Sequence, residues 1–173
     1  EGSSNNKYLE IFNGTGSSVD LSTYTVALYS NGASAYNPVS FPAGSTLAHG
    51  ETFVFYNSSI SVDLFPELAN IPESRKLSSS VTFFNGDDAI GLHKDGTLID
   101  VFGVIGVDPG SSWTLPSGGT TADHSVVRNA NIKSPWTSSG VGTFNWDTIQ
   151  WTATAISGNV GGGGTLGTHT MTY

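Results

Sequence analysis

The chain has 173 residues, with 6 Lys and Arg against 14 Asp and Glu for a net charge of -8, no Cys and 22 Gly. This length suits one domain over residues 1–173 with a sizeable core, and the lack of Cys excludes disulfides, cysteine-zinc sites and cysteine nucleophiles. The acidic balance argues against duplex binding through phosphate contacts, and no run of about 18 apolar residues is present to make a membrane-spanning helix.

Residues 1–7 read as a polar loop, followed by a strand over Tyr8–Phe12 with Leu9 and Ile11 inward and Tyr8, Glu10 and Phe12 on the other face. Asn13-Gly14-Thr15-Gly16 supplies turn chemistry, after which residues 23–29 alternate as a second strand that Asn31-Gly32 breaks. Thr52–Tyr56 is a continuous apolar run and reads as a buried strand. From 57 to 80 the pattern loosens, and Leu64, Leu68 and Ile71 at near-helical spacing predict one or two helical turns within 63–71.

The densest stretch is 83–103, FFNGDDAIGLHKDGTLIDVFG. Asp95-Gly96 between two apolar runs predicts a two-residue hairpin turn, because that turn needs positive φ angles that Asp and Gly tolerate. Pairing outward from it sets Lys94 against Thr97, His93 against Leu98, Leu92 against Ile99, Gly91 against Asp100 and Ile90 against Val101. Ile90, Leu92, Ile99 and Val101 then form the core face, and Ala89, Gly91, His93, Leu98, Asp100 and Phe102 a half-exposed one. Beyond it, Trp113 sits in a loop ending at Gly118-Gly119, and His124–Arg128 reads as a short strand. Residues 144–151 read as a strand of ambiguous orientation, 161–164 as a glycine spacer, and 168–173 as a last short segment. Short strands joined by many polar turns predict an all-β fold.

Four blocks carry a family resemblance: EGSSNNKYLEIFNGTGSSVDLSTYTV at 1–26, FPAGSTLAHGETFVFYNSS at 41–59, FFNGDDAIGLHKDGTLIDVFGVIGVDPGSSW at 83–113 and DHSVVRN at 123–129. In this order they resemble a bacterial lamin-tail domain, of the type found in secreted nucleases and other exported multidomain proteins. The resemblance implies an immunoglobulin-like β-sandwich, exported and extracellular, that acts as an accessory or adhesive module with no catalytic residues to carry over. Domains of this type carry an apolar strand just before the EGSSNNK-like loop, so a sheet edge is expected to stand open here. An open edge is a site for adding a strand, so the alternative to a module that uses its loops for protein, glycan or surface attachment is a self-assembling structural subunit of an extracellular filament or surface layer, in which 168–173 or a partner copy's strand fills the gap.

Several constellations bear on chemistry. Asn85, Asp87 and Asp88 put hard oxygens into one turn that can hold Ca²⁺, yet an Asn-Gly-Asp turn explains the same residues by backbone geometry, and that reading is preferred. His93 and Asp100 lie diagonally on the predicted outer face, with no serine identified beside them, which favours a plain surface contact over a general base. His49, His93, His124 and His169 lack metal-ligand spacing, so no transition-metal site is indicated. The loop aromatics Trp113, Trp136 and Tyr36 are the candidate ligand-binding platforms, whereas aromatics on strands read as packing. Asn13-Gly14-Thr15 and Asn57-Ser58-Ser59 match glycosylation sequons but are neutral in an Asn/Ser/Thr-rich chain. No nucleophile, acid-base pair or metal set indicates an enzyme.

Overall fold

The computed structural model describes residues 4–115, 118–135, 150–156 and 166–172. Its strands are β1 (Tyr8–Phe12), β2 (Val19–Asp20), β3 (Tyr24–Tyr29), β4 (Pro38–Ser40), β5 (Thr46–Leu47), β6 (Thr52–Tyr56), β7 (Lys76–Ser78), β8 (Ala89–Lys94), β9 (Thr97–Phe102), β10 (His124–Arg128) and β11 (Trp151–Ala155). Helical structure among the described residues is confined to short 3₁₀ turns, including Pro66–Asn70 and Glu73–Arg75 beside the expected turns of 63–71. The all-β, immunoglobulin-like sandwich expected from the sequence is therefore the fold.

Two sheets face one another, one ordered β4-β3-β8-β9 and the other β1-β6-β7. The β1–β6 register pairs Leu9 with Phe55 and Ile11 with Phe53, so these four side chains share one face. That face meets Val26 of β3 and Ile90 of β8 in the main core, with Leu21, Phe41 and Leu47 filling the ends. The opposite face of the β1-β6-β7 sheet is also dry: Val54 packs under Ile60, Phe65, Leu68, Ile71 and Leu166. The loosely patterned segment after β6 is thus a lid, and it returns as β7 in a parallel pairing with β6.

The central hairpin forms with the expected turn, Asp95 at φ 49° and Gly96 at φ 76°. The pairs Lys94–Thr97 and His93–Leu98 also stand. Beyond them a bulge leaves Ile99 unpaired and shifts the register by one, so Leu92 faces Asp100, Gly91 faces Val101 and Ile90 faces Phe102. An inserted residue reverses the facing of everything after it. Phe102 therefore packs against the main core, while Val101 is buried on the opposite face, a correction to the predicted core face. That opposite face is not half exposed either. Ala27, Tyr29, Ala89, Val104 and Trp113 form a second cluster over it, and His93 is only 3% exposed.

After Gly119 the chain adds a small antiparallel hairpin in which β10 pairs with β11 from His124–Ala155 to Arg128–Trp151. Of the predicted strand at 144–151, residues 144–149 lie outside the described residues, as does the spacer at 161–164. Residues 168–172 carry no strand.

Candidate docking cleft

Strand β1 is an edge strand: among the described residues its one ladder partner is β6. The amide of Asn57 donates to Lys7 O at 3.0 Å and that of Asn13 to Glu51 O at 2.9 Å, at the two ends of the pairing. Hydrogen-bonded residues alternate along an antiparallel ladder, so residues 7, 9, 11 and 13 bond to β6 and the main-chain groups of Tyr8, Glu10 and Phe12 point away from it. They open onto a cleft of about 440 Å³ whose walls include Leu9 and Ile11 of β1, Phe102 of β9 and Val126 of β10.

The sequence builds this edge with an alternation of its own. Leu9 and Ile11 turn into the core, which leaves Tyr8, Glu10 and Phe12 on the outer face. Residues 166–172 cross that face as a strap: Leu166 packs with Val54, the Gly167 amide bonds the Glu10 carboxyl, and His169 meets Phe12 edge to face at 4.7 Å. Burial pushes the Glu10 carboxyl from its ordinary 4.5 up to about 7, the Gly167 amide acting in the opposite direction. Burial also raises Tyr8, partly offset by its hydrogen bond with Ser125 of β10.

The far wall is the β10–β11 hairpin. Arg128 donates from Nη1 to Asp100 Oδ2 at 2.6 Å and from Nη2 to Asp100 Oδ1 at 2.9 Å, and its guanidinium lies 4.5 Å from the Trp151 ring centre. Trp151 in turn meets Phe102 edge to face at 5.0 Å. A bidentate charged pair with an aromatic stacked on it is rigid, so the hairpin is held at β9 while β1 keeps its outward edge. Burial, and secondarily the charge of Arg128, lowers the His169 pKa below its usual value.

The residues singled out from the sequence fall elsewhere. Trp113 is 8% exposed and packs with Ala89 and Val104, its amide donating to Thr121 Oγ1 at 2.9 Å, so its indole is a packing element and not a loop platform. Tyr36 is 37% exposed and stacks on His93 with ring centres 4.8 Å apart. Trp136 lies outside the described residues. Asp88 is buried and accepts from the amides of Asn31 at 2.8 Å and Asn85 at 2.7 Å, while Lys7 Nζ donates to Asn85 Oδ1 at 3.1 Å and Phe84 O at 2.6 Å. Asp87 is buried beside it. The side-chain oxygens of Asn85 and Asp88 thus accept from Lys7 and from backbone amides, and among the described residues no group of three or more His, Cys, Asp or Glu is placed to hold a metal ion.

His93 and Asp100 do not share a face, a further consequence of the Ile99 bulge: Asp100 is opposite Leu92, and His93 Nε2 lies 3.0 Å from Tyr29 OH. Both sequon asparagines are buried. Asn13 Nδ2 donates to Ser17 O at 2.8 Å and Leu47 O at 2.7 Å, and Asn57 Oδ1 accepts from Ser59 N at 2.9 Å. The sequence pattern put Tyr8, Glu10 and Phe12 on the outward face of their strand but marked neither them nor Arg128 as site residues. The one available signal was a carboxylate set between two aromatics on the outward face of an otherwise apolar strand.

Two facing sheets around an aromatic-rich core, with helical structure among the described residues limited to short 3₁₀ segments, define an immunoglobulin-like β-sandwich. The lamin tail domain family model matches residues 1–106, and the chain belongs to that family, whose members are immunoglobulin-like and non-enzymatic. The matched region ends shortly after β9, so the β10–β11 hairpin and the strap lie outside the matched residues. No curated protein and no solved structure matches the chain.

Proposed function

We propose that the chain is an exported, extracellular interaction module of lamin-tail type that acts by docking a partner and has no catalysis of its own. The observation that carries this reading is the outward main-chain edge of Tyr8, Glu10 and Phe12 along a largely apolar cleft of about 440 Å³, within the range of sites that take ligands. Sheet edges are completed in protein complexes by extended segments of other chains. The family supports a non-catalytic role, and the bacterial, exported setting rests on the resemblance of the sequence blocks.

Peptide docking is favoured over glycan docking because Trp113, one of the three loop aromatics expected to stack on sugars, is enclosed in packing, and Tyr36 is stacked on His93. The test is to present the purified chain to a displayed random-peptide library, a glycan array and plasmid DNA with Mg²⁺. Saturable peptide binding without DNA cleavage is expected. Absence of any binding, or robust cleavage, overturns the interaction-module reading. Calcium at the Asn85–Asp88 turn is checked by titration in the same preparation, with no change in unfolding temperature expected because both Asp88 oxygens already serve backbone amides.

A further inference from the structure

The cleft beside β1 has a chemistry more specific than an open edge. A strand added to β1 projects alternate side chains to opposite faces. Those turned inward enter the gap beside Leu9, Ile11 and Phe102, which admits apolar groups. The one turned outward opposite the middle of β1 meets Glu10, set between Tyr8 and Phe12 under the strap.

Cross-strand neighbours on one face stand about 5 Å apart, close enough for an ion pair, and like charges directly opposite are destabilising. We propose, building on the docking reading, that the cleft takes an extended segment of a different protein, apolar at alternate positions and carrying Lys or Arg opposite Glu10. The burial that holds the Glu10 carboxyl up to about 7 in the free chain is the desolvation that a cationic side chain offsets. Charge complementarity also separates this occupant from a second copy. Two β1 edges paired antiparallel about their centre set Glu10 against Glu10, and each chain carries a net charge of -8.

The experiment pans a displayed random 12-residue peptide library against the full chain at pH 7.5. Enriched sequences are synthesised, and amide hydrogen exchange is read residue by residue on the complex. Alternating apolar residues with a Lys or Arg in fixed register, and slowed exchange at Tyr8, Glu10 and Phe12, are expected. Two variants separate the forces. Glu10→Lys is expected to weaken a Lys-bearing peptide about tenfold and to strengthen its Lys→Glu counterpart. Glu10→Pro removes the central outward amide while leaving the bonds to β6, and is expected to weaken the same peptide beyond the loss seen with Glu10→Gln.

Enriched peptides that protect other amides overturn the edge site while leaving the interaction-module reading standing. No enrichment at all overturns both. Protection at β1 by acidic or register-free peptides removes the role of Glu10, and concentration-dependent self-association that protects Tyr8, Glu10 and Phe12 replaces the foreign segment by a second copy.

Discussion

Arg128 and Asp100 form a two-pronged ion pair, at 2.6 and 2.9 Å, between the last hairpin and the edge of the central one. It exists because the bulge at Ile99 turns Asp100 to the same side as Leu92 and away from His93. One inserted residue thus decides whether this carboxylate meets a histidine or anchors the wall of the cleft.

A double-mutant cycle checks that anchor. Asp100→Asn, Arg128→Met and the double variant, compared by urea unfolding, are expected to give a coupling energy of about 1–2 kcal/mol. Both side chains are largely buried, so 0.5 M NaCl is expected to leave most of that coupling in place. A coupling near zero means that other contacts, Trp151 packing on Phe102 among them, seat the hairpin without help from the ion pair.

Gly103 tests the place of Trp113. Its φ is 85°, and a methyl group there would lie 2.9 Å from Ala89 Cα and 2.9 Å from Trp113 Cη2. Gly103→Ala is expected to destabilise by about 2–4 kcal/mol through backbone strain and overpacking, and Trp113→Ala by about 3–5 kcal/mol through the cavity it leaves. Both appear as a fall in thermal midpoint of roughly 6 °C or more by circular dichroism. An unchanged midpoint for Trp113→Ala together with a lost ligand would restore the loop-platform role.

What the sequence disclosed follows the range of the interactions involved. Asp95-Gly96 was legible because two adjacent residues determine the positive φ angles of the turn, and Tyr8–Phe12 and Thr52–Tyr56 because their apolar patterns are local. The bulge at Ile99 was not legible, since no Gly or other irregularity marks it and the gain is tertiary: Phe102 reaches Trp151 and Asp100 reaches Arg128. Burial of His93 and Trp113 depends on segments packing over a face that alternation alone labels polar. The cleft was legible only in part. Glu10 stands out in YLEIF, but its environment is set by Gly167, more than 150 residues along the chain.

The Tyr29–His93 contact gives a prediction about buried polar pairs. The hydroxyl lies 3.0 Å from Nε2, and His93 Nδ1 is buried with no hydrogen-bond partner among the described residues. Burial raises Tyr29 to about 12, with Tyr36 adding to it, and burial lowers His93. Tyr29→Phe leaves a buried ring nitrogen unsatisfied and is expected to cost about 1–2 kcal/mol; adding His93→Leu removes that unsatisfied group, so the double variant is expected to lose less than the two single losses combined. Because the folded state resists protonation of His93, the unfolded chain takes up the proton first. Stability is therefore lost as pH falls below about 6.5, and His93→Leu is expected to remove that part of the acid loss when unfolding is compared at pH 7.5 and 5.

Glu10 gives the opposite slope. Its folded pKa of about 7 lies above its ordinary 4.5, so between those values the native state holds a proton that the unfolded chain has released. Stability from this group is fully present below about 4.5 and falls as pH rises through 7, by at most about 3.5 kcal/mol at 1.4 kcal/mol per unit, and by less where solvent screens the partly exposed carboxyl. Glu10→Gln keeps an oxygen for the Gly167 amide and removes the ionisation. The difference in unfolding free energy between Glu10→Gln and the parent chain is expected to be small at pH 4.5 and to favour the variant at pH 8, cancelling the histidine contributions common to both. A difference that stays constant from pH 4.5 to 8 would show that the Glu10 carboxylate is solvated at the cleft wall, and would remove the desolvation that favours a cationic partner side chain there.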